Sequence, residues 1–419
     1  VSTSKLDSAP APVMSTSASS PRRALLLERI HPRAARRLHE AGFSVDQIPG
    51  ALAGDDLIEQ LQGISVLGIR SKTQLTRRVV EAAGELEVVG AFCIGTNQID
   101  LDACLERGVP VFNAPYANTR SVVELALGQI ILLMRDVPRK SAALHRGEWR
   151  KSEGAPREVR GKRLGIVGYG NIGAQLSVLA EALGMEVCYH DVVEKLALGN
   201  ARPCRTLKEL LEISDVVSVH VDGSRQNRNL FGAEEFAAMK EDAVFINLSR
   251  GFVVDLQALK EALASGKLRG AALDVFPREP SRDGEPIQLP LQGMSNVILT
   301  PHIGGSTEEA QANIAGFVPD KILNYMERGS TNLSVNFPSL QLPELRGAHR
   351  VAHIHANVPG ILARINQVLA ARDINIIGQY LKTNERVGYV ITDVGRDYDP
   401  AVVRELQEIP RTMRVRVLY

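Results

Sequence analysis

The segment that most restricts how this chain can fold is Arg163–Asp191, RLGIVGYGNIGAQLSVLAEALGMEVCYHD. An apolar run of strand character, Leu164 to Val167, meets Gly168, Gly170 and Gly173; a helical pattern runs to Gly184, and a second strand, Glu186 to His190, ends on Asp191. Together these pieces define one parallel β-α-β unit with a dinucleotide fingerprint in register. Gly168 permits the tight turn, Gly170 leaves room for a pyrophosphate to approach the backbone, and Gly173 lets helix and strand pack closely. The first helical N–H groups face the phosphates, where the positive end of the helix dipole favours an anion. Asp191, eighteen residues beyond Gly173, stands where a carboxylate accepts from both ribose hydroxyls and repels a 2′-phosphate. No Arg follows it in HDVVEK, so NAD is favoured over NADP.

At 419 residues the chain exceeds one ordinary core, and two or three domains are expected. Lys plus Arg number 49 against 48 for Asp plus Glu, a net charge of +1, so no global field recruits nucleic acid or a membrane. Cys93, Cys104, Cys188 and Cys204 form no CxxC and no metal-ligand spacing; reduced, mostly buried thiols of a cytoplasmic protein are expected, and no metal site. No apolar run approaches transmembrane length, and Ala24–Leu27 is too short for a signal-peptide core.

Residues 1–22, rich in Ser, Ala and Pro, have almost nothing to bury and read as a disordered tail, with Met14 inside it as one candidate natural start. From Arg23 strands and helices alternate: ALLLERI, a helix through Ala34–Ala41, VLGIR at 66–70, EVVGAF and PVFNAP. This half repeats the parallel α/β logic without the glycine fingerprint and is expected to be the substrate-side partner. Gly68–Thr73 and Gly95-Thr96-Asn97 follow its strands, where open α/β sheets collect ligands, although Arg70 and Lys72 alone read more readily as solvated charges. Asn118–Ser121 opens a long helix, Val122–Met134, that crosses into the second domain. Trp149, the only tryptophan, reads as a packing anchor at least as readily as a functional residue. Further strands are expected at 215–221, 243–247, 270–275 and 296–300, with a helix between Asp255 and Ser265. Residues 331–347 lose periodicity, gain Pro and read as a linker. From His349 the pattern is β-α-β-β-α-β, that of a ferredoxin-like unit with no catalytic constellation, hence a regulatory or assembly module.

Chemistry gathers just past strand ends. Arg250 lies in Asn247–Gly251, Glu279 lies beyond Asp274, and His302 lies in Pro301–Gly305. Oxidising a secondary alcohol requires hydride removal from carbon and proton removal from oxygen, and an imidazole near neutrality suits the second task. A carboxylate behind it fixes its tautomer and raises its pKa, while an arginine fork orients a substrate carboxylate. Singly the three are ordinary: a core histidine, a surface acid and an ion-pair partner. After a dinucleotide fingerprint they read as a catalytic set.

At these residues the chain closely resembles the D-isomer-specific 2-hydroxyacid dehydrogenases. The motifs are GIVGYGNIG (165–173), NLSRG with Val254-Asp255, ALDVF with Glu279-Pro280, and TPHIGGST (300–307). CIGTNQIDLDA (93–103), VFNAPYANTRSV (111–122) and VNFP (335–338) point within that family to the bacterial branch with a C-terminal ACT domain, which oxidises D-3-phosphoglycerate. The resemblance covers residues 23–419. It implies a Rossmann-like NAD-binding domain (118–304) inserted in a flavodoxin-like substrate domain (23–117 and 305–345), followed by a ferredoxin-like ACT domain (346–419). It implies His302 as acid/base, Glu279 as its partner and Arg250 as carboxylate clamp. The cofactor contacts it implies are Gly168, Gly170, Asn171, Ile172, Gly173, Asp191, Leu248, Ser249, Asp274, Ile303, Gly304 and Gly305. Arg70, Ser71, Lys72 and Asn118 would face the substrate, with Arg150 and Lys151 supplied by a neighbouring subunit. Hinges near Asn118 and Gly305 would close the cleft between the domains.

Two positions depart from the family pattern: Lys72 replaces a frequent arginine, keeping the charge but losing the fork, and Asp222 replaces the proline of HVP. The implied product is 3-phosphohydroxypyruvate, at the first step of L-serine synthesis. L-serine is the implied feedback effector, bound by His355, Asn357 and Asn375 at an ACT seam, and the implied assembly is a homotetramer. Two other readings stand beside it: a dehydrogenase of glycerate/hydroxypyruvate or 2-hydroxyglutarate/2-oxoglutarate, and a binding module that uses NAD as a sensor.

Overall fold

The computed structural model describes residues 22–280, 284–342, 348–395 and 401–418. The tail read over 1–22, with Met14, lies outside these residues apart from Arg22. Three sheets organise the chain. Strands β1 (Arg23–Leu27), β2 (Ser44–Ile48), β3 (Val66–Ile69), β4 (Val88–Ala91) and β5 (Val111–Phe112) form a parallel sheet in the order β2-β1-β3-β4-β5, the flavodoxin-like arrangement. A second parallel sheet holds β6 (Arg163–Val167), β7 (Glu186–His190), β8 (Arg202–Pro203), β9 (Val216–Val219), β10 (Ala243–Asn247), β11 (Leu268–Leu273) and β12 (Val297–Leu299). Its order, β12-β11-β10-β9-β6-β7-β8, is doubly wound, with the switch point between β6 and β9. The third sheet is antiparallel: β13 (His349–Ala356), β14 (Ile376–Thr383), β15 (Val387–Val394) and β16 (Thr412–Val417), ordered β14-β15-β13-β16.

The central strands of the first two sheets are buried on both faces, which explains their unbroken apolar runs: every residue of β3, β4, β9 and β10 is buried. The chain crosses between them twice. Helix Thr119–Met134 leaves the first unit and packs Val123, Ala126 and Ile130 on the second sheet; it begins three residues before the pattern predicts. Helix Glu308–Arg328 returns and lays Ile314, Val318 and Ile322 on the first sheet. Thr307 caps the returning helix by accepting from the Ala310 N–H at 3.1 Å, and its hydroxyl also meets Ser121 at 2.8 Å, joining the two crossings.

The aperiodic stretch read as a linker is, over residues 331–342, a packed strap. Asn336 accepts from the Val111 N–H at 2.9 Å and donates to Val109 O at 3.0 Å, while Phe337, Leu340 and Leu342 are buried. Side-chain hydrogen bonds and isolated backbone ones, such as Val335 N–H to Val111 O at 2.8 Å, stand there in place of a regular ladder, which is why periodicity failed. Residues 343–347 lie outside the described set. One face of the third sheet, through Ala352, Ile354, Val387, Tyr389 and Ile391, shares a core with Phe112, Tyr325 and Phe337 of the first unit. The other face packs against helices Ile361–Ala371 and Ala401–Glu408. Arg350, fully buried, forms a two-bond pair with Asp393 at 2.7 and 2.8 Å.

Strand β1 stops at Leu27, short of the expected Ile30, because Glu28 and Arg29 both take left-handed backbone angles, φ 63° and 50°. For residues with a Cβ that conformation costs about 1–2 kcal/mol each, so the surrounding contacts must impose it. Trp149, for which a packing and a functional reading both stood open, is 79% exposed in this chain.

Candidate active site

The fingerprint loop has the geometry that a dinucleotide requires. Gly168 sits at φ 92°, with His220 O only 2.7 Å from where a Cβ would stand. A Cβ on Gly173 would lie 2.3 Å from Gly168 O, so helix and strand meet only because that residue is glycine. Above Gly170 there is open space within 4 Å, the room a pyrophosphate needs at the N-terminus of helix Asn171–Ala182. Asp191 closes the unit: its carboxylate accepts from the Tyr169 N–H at 2.8 Å and the Val193 N–H at 2.9 Å, keeping lone pairs for ribose hydroxyls. Asn171 and Ile172 form the first turn of that helix. These residues fit NAD.

His302 follows β12 in a left-handed conformation, φ 54°. Its Nδ1 meets Glu279 Oε2 at 2.7 Å, which leaves Nε2 as the nitrogen available to a substrate hydroxyl. The hydrogen bond to Glu279 is the largest influence on the imidazole and, against its partial burial, holds its pKa above the ordinary histidine value. Glu279, which burial alone would push up, is drawn below the ordinary carboxylate range by His302, the Phe276 N–H at 3.0 Å and the charge of Arg250. The pair is therefore an imidazole poised to take a proton and a carboxylate that stabilises the resulting cation.

Arg250 extends from the end of β10 into the space between the two parallel units. Its Nη2 would lie 3.0 Å from a Cβ on Gly95, in the first unit, and its Nε 3.5 Å from one on Gly223. Asn247 shapes this turn by donating to Arg250 O at 3.1 Å and accepting from the Ser249 N–H and hydroxyl at 3.0 and 2.7 Å. Gly251 is required as well, since a Cβ there would fall 1.9 Å from the Phe276 carbonyl carbon.

The structure separates the other candidates. Leu248 is buried in the core and the Ser249 hydroxyl is held by Asn247, so both side chains face the protein. Asp274 commits both oxygens to the loop that carries His302: Oδ1 accepts from the Thr300 hydroxyl at 2.6 Å and the Ile303 N–H at 2.9 Å, and Oδ2 from the Gly304 N–H at 2.8 Å. It holds the loop on which His302 stands. The Asn118 amide lies over Gly305, with Nδ2 2.2 Å from where a Cβ would stand, so the two expected hinge points touch. Asn118 Oδ1 is buried without a partner. Arg70, Ser71 and Lys72 follow β3, and while burial pushes the Cys93 thiol up, the charges of both Arg70 and Arg250 act on it in the opposite direction. Arg150 pairs with Glu148 and Glu153 on its own exposed turn, and Lys151 O accepts from Lys140 at 3.1 Å. Sequence reasoning missed Thr300, Asn247 and Glu28, whose roles are visible only through partners brought in by the fold.

In the third sheet, His355 is 4% exposed, with Nδ1 against Ala356 O at 2.8 Å and Nε2 buried without a partner. Asn357 donates to Asn384 O at 2.7 Å. The register pairs His355 with Gly388 but Ile376 with Val394, so Asn375 stands at the opposite end of β15, about 20 Å away. Within one chain these three residues do not converge. Among the described residues, no group of three or more His, Cys, Asp or Glu is placed to hold a metal, and no helix is long and apolar enough to cross a membrane.

Residues 127–304 match the NAD-binding domain of D-isomer-specific 2-hydroxyacid dehydrogenases, and residues 351–414 match an AHAS small subunit-like ACT domain. The chain is 51% identical over 396 residues to D-3-phosphoglycerate dehydrogenase of Haemophilus influenzae, covering 94% of this chain and 97% of that one. It is 48% identical over 398 residues to the enzyme of the same name from Escherichia coli strain K12, with the same coverage. Among solved structures it resembles the D-lactate dehydrogenase of Aquifex aeolicus complexed with NAD and lactic acid, with TM-score 0.65 and 25% identity over 75% of this chain and 100% of that one. Fingerprint and terminal module thus agree with relatives that match almost end to end: the chain is an NAD-dependent oxidoreductase and belongs to the D-3-phosphoglycerate dehydrogenases of the D-isomer-specific 2-hydroxyacid dehydrogenase family.

Proposed function

We propose that the chain oxidises D-3-phosphoglycerate to 3-phosphohydroxypyruvate with NAD, the entry step of L-serine synthesis. The observation that carries this is the 2.7 Å His302–Glu279 pair beside Arg250, at strand ends that also carry the dinucleotide loop; the names of the near full-length relatives support the substrate. Arg250 grips the substrate carboxylate and turns the C2 hydroxyl toward His302 Nε2. As the C2–H bond breaks, His302 removes the hydroxyl proton, the carbonyl forms, and Glu279 stabilises the imidazolium. Bound NAD supplies the hydride acceptor. Arg70, Ser71 and Lys72 hold the phosphate, and Asp191 holds the ribose. The substrate domain spans 23–117 and 305–345, the NAD domain 118–304 and the ACT domain 346–419, with closure between the first two expelling water.

L-serine is the effector, and because His355 and Asn357 lie at one end of β15 and Asn375 at the other, its site forms between two chains. That favours a homo-oligomer, which we take to be a tetramer in the cytoplasm, with Arg150 and Lys151 reaching a neighbour's pocket. The test is NADH formation from D-3-phosphoglycerate, glycerate and 2-hydroxyglutarate, with and without millimolar L-serine, on the native chain and His302→Ala. Faster turnover of glycerate or 2-hydroxyglutarate than of D-3-phosphoglycerate would overturn the substrate, and absence of any turnover the enzymatic reading.

A further inference from the structure

We infer that Glu28 is a positioning residue for the substrate phosphate, acting through the backbone of residues 70–73; this rests on the reading of Arg70, Ser71 and Lys72 as the phosphate-binding loop. Glu28 immediately follows β1, is 8% exposed, and is held at φ 63°. That conformation turns its side chain across to the loop after the neighbouring strand, β3. There Oε1 accepts from the Arg70 N–H at 3.1 Å and the Thr73 N–H at 2.8 Å, and Oε2 accepts from the Lys72 N–H at 2.9 Å. The Arg70 guanidinium returns to Glu28 O at 3.5 Å. A second tie comes from Gln98, whose Nε2 donates to Arg70 O at 2.6 Å and to Gly95 O at 3.2 Å, coupling this loop to the one beside Arg250.

A carboxylate next to an anion site is unfavourable unless its charge is met elsewhere. Three amide donors meet it here, and they wrap the loop's main chain around the carboxylate so that side chains, not amides, are left for a ligand. The Glu28 carboxylate also offsets the positive charge of Arg70, whose guanidinium lies against Glu28 O, while the pocket holds no substrate. Replacing it with glutamine keeps the shape but sets a donor against the Lys72 N–H, freeing the loop while the catalytic pair stays intact.

The test is steady-state kinetics of Glu28→Gln and Glu28→Asp beside Arg70→Ala, with thermal unfolding of each. Glu28→Gln is expected to raise KM for D-3-phosphoglycerate by about tenfold or more, with kcat and KM for NAD changed less than about threefold. KM for unphosphorylated hydroxypyruvate in the reverse direction should stay within about twofold, a selectivity that general loosening of the fold would not produce. Glu28→Asp, too short to span all three donors, should fall between the two and carries the test if the glutamine variant does not fold. If Arg70→Ala raises KM for the phosphorylated substrate while neither Glu28 variant does, the role of Glu28 is refuted. If Arg70→Ala leaves that KM unchanged, the phosphate-loop reading fails and this inference with it.

Discussion

Glu279 touches His302 and, through the Phe276 N–H, its own loop. If it acts on the reaction only through the imidazole, removing it should matter only while the imidazole is present. A positioned proton acceptor contributes about 10²–10⁴ in rate, or roughly 3–5 kcal/mol at 1.36 kcal/mol per decade, and His302→Ala should lose that amount of kcat. Glu279→Ala should lose less, about 10–10³, because an unpaired imidazole still accepts a proton but is neither oriented nor stabilised as a cation. The double variant should be within about threefold of His302→Ala, a strongly non-additive cycle. The pH profile adds a sign. Oxidation needs the neutral imidazole, and Glu279 is the largest cause of its raised pKa, so removing Glu279 should move the acidic limb of kcat/KM to lower pH. Stability follows the same group: its raised folded pKa contributes stability that is full below the unfolded histidine value and is lost as pH rises through the folded one. Stopped-flow or initial-rate NADH formation across pH 6–10 reads the rate losses and the shift of the limb, and urea unfolding across the same range reads the stability. A further tenfold loss from Glu279→Ala in the His302→Ala background, or a limb that moves to higher pH, would show that Glu279 engages substrate directly.

Other variants probe the framework. Arg350→Met leaves Asp393 charged and buried, and should cost about 3–5 kcal/mol in urea unfolding, while Arg350→Met with Asp393→Leu should recover most of it; equal losses in both would refute the pairing. Gly173→Ala drives a Cβ to 2.3 Å from Gly168 O, which should cost about 1–3 kcal/mol and raise KM for NAD far more than KM for the hydroxy acid; unchanged NAD kinetics would sink the close-packing argument. Burial pushes the thiols of Cys93, Cys104 and Cys204 up to about 11, 12 and 12. Mass spectrometry after iodoacetamide at pH 8 should therefore find the native chain almost unmodified and the urea-unfolded chain alkylated at four sites.

The parts legible in the sequence are those whose chemistry requires residues close in sequence or repeated at a fixed period. Gly168, Gly170 and Gly173 must stand within six residues to build one loop, and the buried parallel strands must be apolar throughout. His302 and Glu279 were legible for a different reason, that both stand past strand ends in a nucleotide-binding sheet. The strap at 331–342 misled because Asn336 supplies by side chain the hydrogen bonds that a strand would supply by backbone. Trp149 could be read either as a packing anchor or as a functional residue, and its exposure depends on the fold around it, which a sequence does not give. Asn375 could not be placed relative to His355, since a sequence does not give the strand register that sets the two at opposite ends of β15.

One device recurs and escapes pattern reading altogether. In parallel sheets the carboxyl ends of neighbouring strands lie side by side, about 4.8 Å apart, so an acid just past one strand can reach the amides of the loop after the next. Glu28 follows β1 and holds the loop after β3; Asp191 follows β7 and holds Tyr169 after β6; Asp274 follows β11 and holds Ile303 and Gly304 after β12. Each is the first residue beyond its strand. The acids and their partners are 22 to 45 residues apart in sequence, beyond any local period. The loops so held are the proposed phosphate loop, the dinucleotide loop and the histidine loop. An acid in that position reads in sequence as a surface charge or a ligand contact, yet its donors make it a brace. Sheet order is the missing term: once β1 is known to lie beside β3, and β11 beside β12, the residue following each strand identifies which functional loop it steadies.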